Sequence, residues 1–175
     1  MCVTELWSTR ETPRLQMRPP IAEDLDPYVE IHEDPEVLGS LGAIGPTTGR
    51  VGGWRMLALM LGHWHLRGYG QWTVVEKGTG DVVGRVGLWH PEGWPGVELG
   101  WLIRRSRWGR GYATEAAREA LRFAFDVVEA DHVISMIQPT NTRSIRLAEK
   151  LGESLEDRRL VNGQAMLVYG ISRPS

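Results

Sequence analysis

Residues 105–115, Arg105-Ser-Arg-Trp-Gly-Arg-Gly-Tyr-Ala-Thr-Glu115, set two glycines among basic and aromatic side chains. A branched apolar run, Val97-Glu-Leu-Gly-Trp-Leu-Ile103, precedes them, and a helical pattern from Thr114 to Val128 follows. The order is strand, glycine-bearing turn, helix. Glycines at 109 and 111 let the backbone bend closely with no Cβ in the way. The first N–H groups of the next helix have no acceptor within it and carry the positive end of its dipole. Such a turn accepts a phosphate or pyrophosphate. The dinucleotide fingerprint is incomplete, because Thr114 stands where a third small residue belongs, and the Walker lysine is absent. The plain alternative is an ordinary strand-to-helix turn.

A second segment, Asn141-Thr-Arg-Ser-Ile-Arg-Leu-Ala-Glu-Lys-Leu-Gly152, follows the β-rich run His132-Val-Ile-Ser-Met-Ile137. Asn141 or Thr142 can cap a helix. Ile145, Leu147, Ala148 and Leu151 give that helix an apolar face, and Gly152 stops it. By itself this is a capped amphipathic helix.

Together the two segments resemble a known family. W-G-x-G-Y-A-T-E, after an apolar strand with an embedded glutamate, resembles the acyl-CoA pyrophosphate loop of the GCN5-related N-acetyltransferases (GNAT). The nearest likeness is to the branch typified by ribosomal-protein N-terminal acetyltransferases, the Rim type. N-x-x-S-x-x-x-x-E-K-x-G resembles the family's other cofactor helix. The loop's family core is Gln/Arg-x-x-Gly-x-Gly/Ala. Aligned on Gly109 and Gly111, its first position is Ser106, a departure. Arg105 and Arg107 flank it and can supply the missing polar contact. The resemblance covers the chain from about Thr12 to Tyr169.

The resemblance implies acetyl-CoA as acyl donor, an amine as acceptor and no metal. It implies that the strands at 97–103 and 132–137 splay apart, and that the pantetheine arm pairs with backbone at Trp101, Leu102 and Ile103. The pyrophosphate would lie against Arg107, Trp108, Gly109, Arg110, Gly111, Tyr112 and Ala113. Asn141 would contact the pantetheine, a role compatible with capping. Acetyl transfer from a thioester to an amine needs a deprotonated amine, a polarised carbonyl and a stabilised thiolate. Glu98, a charge in an otherwise apolar strand, matches the glutamate that family members use as base, commonly through water. Burial would raise its pKa toward neutrality. Its bland role is a carboxylate salt-bridged to an arginine. Many family members protonate the thiolate with a tyrosine where this chain has Ala148. Ser144 is the nearest hydroxyl on the matching face, and its bland role is packing at a helix start.

Composition fits one soluble domain: 175 residues, 42% apolar, 24% charged and a net charge of −2. Nothing favours nucleic acid or an anionic membrane. Of 20 basic residues only Lys77 and Lys150 are lysines. The lone cysteine, Cys2, cannot form an internal disulfide, lacks an activating neighbour and suits a reducing, cytoplasmic compartment. His63 and His65 lie two apart on a predicted helix and face different ways, so a zinc site is not expected.

The remaining pattern places these residues. Leu15 and Met17 alternate with polar neighbours in an opening strand. Helices are expected at Glu23 to His32, briefly after Asp34-Pro35, and over residues 50–66, capped by Thr47 or Thr48. In the last, Val51, Trp54, Ala58, Leu61 and His65 recur at helical spacing. Gln71–Glu76 and Val82–Trp89 read as a hairpin. Residues 154–160 and 165–171 read as a closing pair around an Asn162-Gly163 turn. This order implies an α+β fold, one GNAT-like domain whose mixed sheet of about seven strands carries helices on both faces. Most of the eight tryptophans are expected in the core; Trp89 and Trp94, which flank a turn-rich loop before Glu98, can line an acceptor pocket. Two other functions stay open: a non-catalytic acyl-CoA-binding or sensing module, suggested by the missing tyrosine, and half of a dinucleotide-binding oxidoreductase. The acceptor and the oligomeric state are not written in the sequence.

Overall fold

The computed structural model describes residues 8–39, 49–161 and 163–174. Strands β1 (Arg10–Glu11) and β2 (Leu15–Arg18) lead to a 3-10 turn at Ala22–Asp24, then to helices α1 (Leu25–Glu33), α2 (Pro35–Leu38) and α3 (Gly49–Arg67). Strands β3 (Gln71–Glu76), β4 (Val82–Trp89) and β5 (Glu98–Ile103) follow. Helix α4 (Tyr112–Asp126), strand β6 (His132–Ile137), helix α5 (Thr142–Leu151) and strands β7 (Ser154–Val161) and β8 (Gln164–Ser172) complete the chain.

The strands form one sheet in the order β1-β2-β3-β4-β5-β6-β8-β7. About seven were expected and the described residues form eight; the extra one, β1, is a two-residue pairing with β2. Every pair is antiparallel except β5 with β6. That parallel pair meets at a single register position, Glu98 opposite Ile134. Beyond it the two strands part, so backbone in β5 from Leu99 onward lacks a ladder partner on that side.

Side chains alternate across the sheet and sort the helices onto its two faces. Trp72, buried completely, packs edge-on against Phe123 of α4 at 4.9 Å between ring centroids. Its neighbour Thr73 points the other way, where its hydroxyl lies 2.7 Å from that of Tyr28 in α1. Pro35 begins α2 where a missing N–H costs nothing, and Asp34 caps it by accepting from the Glu36 N–H at 3.0 Å.

Helix α3 corrects the expected apolar face. Val51 and Trp54 are 66% and 61% exposed, and Ala58 and His65 are exposed too. The buried face is Gly53, Leu57, Met60, His63 and Trp64. Apolar residues ring this helix, so spacing alone could not choose a face. Gly53 decides it: a Cβ there would lie 2.5 Å from Val29 Cγ2, so α1 packs against that point. The candidate caps Thr47 and Thr48, like Cys2 and Asn162, lie outside the described residues.

Candidate active site

Two cavities open on either side of the parting strands. One, about 930 Å³, is a groove between the β5–α4 turn and the start of α5. Its walls include Trp101, Leu102, Ile103, Arg107, Trp108, Gly109, Gly111, Tyr112, Ala113, Asn141 and Ser144. Of the residues the resemblance assigns to acyl-CoA, only Arg110 is absent from this wall. Its carbonyl accepts from Arg14 Nη1 at 2.9 Å instead.

The groove fits a pyrophosphate on three counts. Gly109 and Gly111 hold left-handed backbone, φ +75° and +79°, which residues with a Cβ rarely adopt. Helix α4 begins at Gly111 with no side-chain cap, leaving the N–H groups of Tyr112, Ala113 and Thr114 for a ligand. Basic residues Arg107, Arg143, Arg146 and Lys150 line the walls. Arg107 is held in place by Asp81 at 2.8 Å and Glu76 at 3.2 Å, whereas Arg105 is turned toward Asp34 at 2.7 Å. Of the two arginines that flank Ser106, only Arg107 therefore reaches the groove.

The second cavity, about 420 Å³, lies on the α1 and α3 face of the sheet. Trp89, Trp94, Glu98 and Ser135 line it, with Met56, Leu59 and Met60 of α3 on one wall and Val161 and Met166 on another. Both tryptophans flanking the loop before β5 thus line this cavity. Trp89 also stacks on His63 at 4.5 Å. His63 in turn touches the Tyr69 carbonyl through Nδ1 and accepts the His90 N–H at Nε2, so it pins the strand ends that carry the cavity.

Trp101, Asn141 and Ser144 line both cavities. The junction is built by α5. Asn141 Oδ1 accepts from the Ser144 N–H at 3.1 Å, which caps the helix and fixes where Ser144 begins. Trp101 Nε1 donates to Ser144 Oγ at 3.1 Å. An oxygen that already accepts keeps its own O–H for another partner. Ala148 is completely buried one turn later, which leaves no hydroxyl there.

Glu98 sits at the cavity end of β5 and is 9% exposed. Burial pushes its pKa up to about 7, against hydrogen bonds from Trp94 and Met136 and the charge of Arg85. Trp94 Nε1 donates to Glu98 Oε2 at 2.7 Å. The alternative of a salt-bridged structural carboxylate does not hold, since no arginine stands within ion-pair distance of Glu98 among the described residues. A carboxyl group poised near neutrality beside an apolar cavity can exchange a proton at physiological pH.

Several cavity residues were not picked out from sequence. Behind Ser135, and not itself lining the cavity, Glu153 is 4% exposed and its pKa is pushed up to about 7 by burial, with the nearby charges of Glu156 and Glu98 adding. It accepts from Ser135 at 3.1 Å. Arg85 and Gln71 form part of the floor. A lone charge in the apolar run Val82–Trp89 was the available signal for Arg85, the same signal that marked Glu98.

Residues 14–153 match the acetyltransferase (GNAT) domain, and the chain belongs to that family. It is an N-acetyltransferase. Over 170 residues it is 29% identical to an uncharacterised N-acetyltransferase, p20, of Bacillus licheniformis, covering 94% of each chain. It is 38% identical over 90 residues to the uncharacterised protein YkkB of Bacillus subtilis, a match to 49% of this chain and only 52% of YkkB. The crystal structure of an acetyltransferase from Agrobacterium tumefaciens superposes with TM-score 0.84 at 30% identity, over 95% of each chain. The ribosomal-protein-S5-alanine acetyltransferase of Vibrio fischeri shares the fold, TM-score 0.75 at 16% identity, over 94% of this chain and 96% of that one.

Proposed function

We propose that this protein transfers an acetyl group from acetyl-CoA to a primary amine in a ternary complex, with the donor in the groove and the amine in the α3-side cavity. The observation that carries this reading is the junction: the two cavities share Trp101, Asn141 and Ser144, so ligands entering from opposite faces meet there. Acetyl-CoA supplies an acetyl group on a thioester, open to attack by an amine nitrogen. The chain's residues supply the rest. The edge of β5 at Trp101, Leu102 and Ile103, which has no ladder partner on the β6 side, holds the pantetheine, and the uncapped start of α4 holds the pyrophosphate. Glu98 takes a proton from the amine, directly or through one water. The Ser144 O–H, oriented by Trp101, donates toward the sulfur as it departs. The missing tyrosine at Ala148 therefore leaves the protein an enzyme rather than a sensing module.

Calorimetric titration with CoA and thiol release from acetyl-CoA with a panel of amines and N-terminal peptides test this together. The proposal expects CoA binding and thiol release with a subset of amines. CoA binding without thiol release across the panel would favour the sensing module, and absence of CoA binding would refute both.

A further inference from the structure

The floor of the α3-side cavity holds a charge that Glu98 offsets only through space, with no ion pair to complete it among the described residues. Arg85 is 6% exposed. Among the described residues no carboxylate lies within ion-pair distance of its guanidinium, and its Nε has no hydrogen-bond partner. Among the described residues its hydrogen-bond partner is a neutral oxygen, Gln71 Oε1, which accepts from Nη1. A buried, half-satisfied guanidinium is costly, and removing a charge's partner is far more destabilising than a complete pair. Elsewhere on the same sheet face the chain does complete such a pair: Arg18 and Asp24 meet at 2.6 Å, and Thr73 donates to the same carboxylate at 2.6 Å. Arg85, opposite Leu102 in the ladder, has no such acid.

The ladder also shows where a ligand would run. Cross-strand partners share a face, so Trp89 with Glu98, Gly87 with Gly100, and Arg85 with Leu102 are successive rows on the cavity side. The middle row has no side chains. Gln71, opposite Gly87 on β3, extends over that gap. A Cβ on Gly100 would lie 2.6 Å from Gln71 Nε2, so only glycine leaves the amide its place. A trough along this row, partly covered by the Gln71 amide, thus links the Glu98 carboxyl to a pair of donors, the Arg85 guanidinium and that amide. From Glu98 to Leu102 is four residues, about 13 Å of strand at ~3.3 Å each.

We propose that the acceptor is an amine that also carries a carboxylate, with Arg85 and Gln71 binding the carboxylate at the floor while the amine faces Glu98. This rests on reading the cavity as the acceptor side. A guanidinium presents parallel N–H donors that match a carboxylate's two oxygens. The ligand's charge completes the pair that the protein leaves open. Glu98 itself remains for the amine, since Trp94 holds it at the other end of the trough.

The test uses matched acids and amides. Acetylation of 4-aminobutyrate, 6-aminohexanoate and 8-aminooctanoate is compared with that of their amides, and short peptides with free C-termini are compared with the same peptides amidated. The first arm reports small amino acids and the second peptide carboxylates. At least one pair should show kcat/KM about 10²-fold higher for the acid, the size of a charge-assisted hydrogen bond in a buried site. Arg85→Gln should collapse that acid-to-amide ratio toward one, mainly through KM, and Arg85→Lys should keep part of it. Circular dichroism checks that both variants fold; if Arg85→Gln does not, the ratio in Arg85→Lys and in the unaltered protein still decides. Equal use of acids and amides by the unaltered protein, or an undiminished ratio in folded Arg85→Gln, would overturn the proposal. Turnover of amides alone would overturn it while leaving acetyl transfer standing. Absence of CoA binding would instead refute the transferase reading beneath it.

Discussion

The two helices that bound the groove begin in opposite ways. Helix α4 opens on Gly111 in left-handed backbone, with no side chain over its first N–H groups. Helix α5 opens on Asn141, whose side chain accepts from Ser144 N–H at 3.1 Å. Both segments are short stretches of sequence beside the same cavity, yet one start is left for a ligand and the other is closed by the chain itself. The closed start has its own use. By capping α5, Asn141 fixes the backbone from which Ser144 meets Trp101. The open start offers charge; the closed one offers position.

That contrast predicts very different costs for altering the two starts. Gly111→Asp should abolish measurable CoA binding while the protein stays folded. It places a Cβ on backbone at φ +79° and a negative charge where phosphate is expected. Calorimetry with circular dichroism checks both halves, and near-normal CoA affinity in a folded variant would break the contrast. Glu98→Gln, at the other cavity, should lower turnover about 10²-fold near pH 7 with little change in acetyl-CoA affinity, which steady-state kinetics with varied donor would show. Ser144→Ala should cost about 10-fold in kcat, below the usual general-acid range of ~10²–10⁴, because thiols have a pKa near ~8.5 and leave as thiolates readily. Unchanged kcat would return Ser144 to a packing role. Asn141→Ala should have the smallest effect: a lost cap, about 1 kcal/mol of stability by denaturant unfolding, with CoA still bound. A loss of CoA binding as complete as in Gly111→Asp would show that the closed start is a ligand site after all.

The same contrast explains what could be read without a structure. The donor side is local. Gly109, Gly111 and Asn141 sit in turns and helix starts, whose chemistry depends on neighbours in sequence, so spacing points to them, while Ser144 is singled out by the family resemblance. The acceptor side is assembled by strand register. Gln71, Arg85, Glu98 and Ser135 come from four strands, and only the pairing of Gly87 with Gly100 brings the first three into one trough. Glu98 is legible because a charge interrupts an apolar strand; Arg85 interrupts its strand equally, but without its register nothing ties it to the site. Helix α3 failed for a different reason. With Val51 and Trp54 on one side and Leu57, Met60 and Trp64 on another, its periodicity held two answers, and close packing at Gly53 selected one. Arg105 and Arg107 looked equivalent beside Ser106, and acids distant in sequence, Asp34 for one, Glu76 and Asp81 for the other, separated them.

In the proposed reaction Glu98 removes the proton from an amine lying in the α3-side cavity. That step is tested most directly by the pH profile of kcat/KM for unaltered protein and Glu98→Gln, using an acceptor whose amine pKa is near ~10, like that of a lysine side chain. With Glu98 raised to about 7, the unaltered protein should gain activity as that carboxyl deprotonates and level off above neutrality. Glu98→Gln must wait for amine that is already neutral, so its activity should climb about tenfold per pH unit toward the amine's own pKa. The two curves should converge, with a deficit of about 10² near pH 7 that nearly closes by pH 10. Parallel curves, or no deficit at any pH, would contradict that role for Glu98.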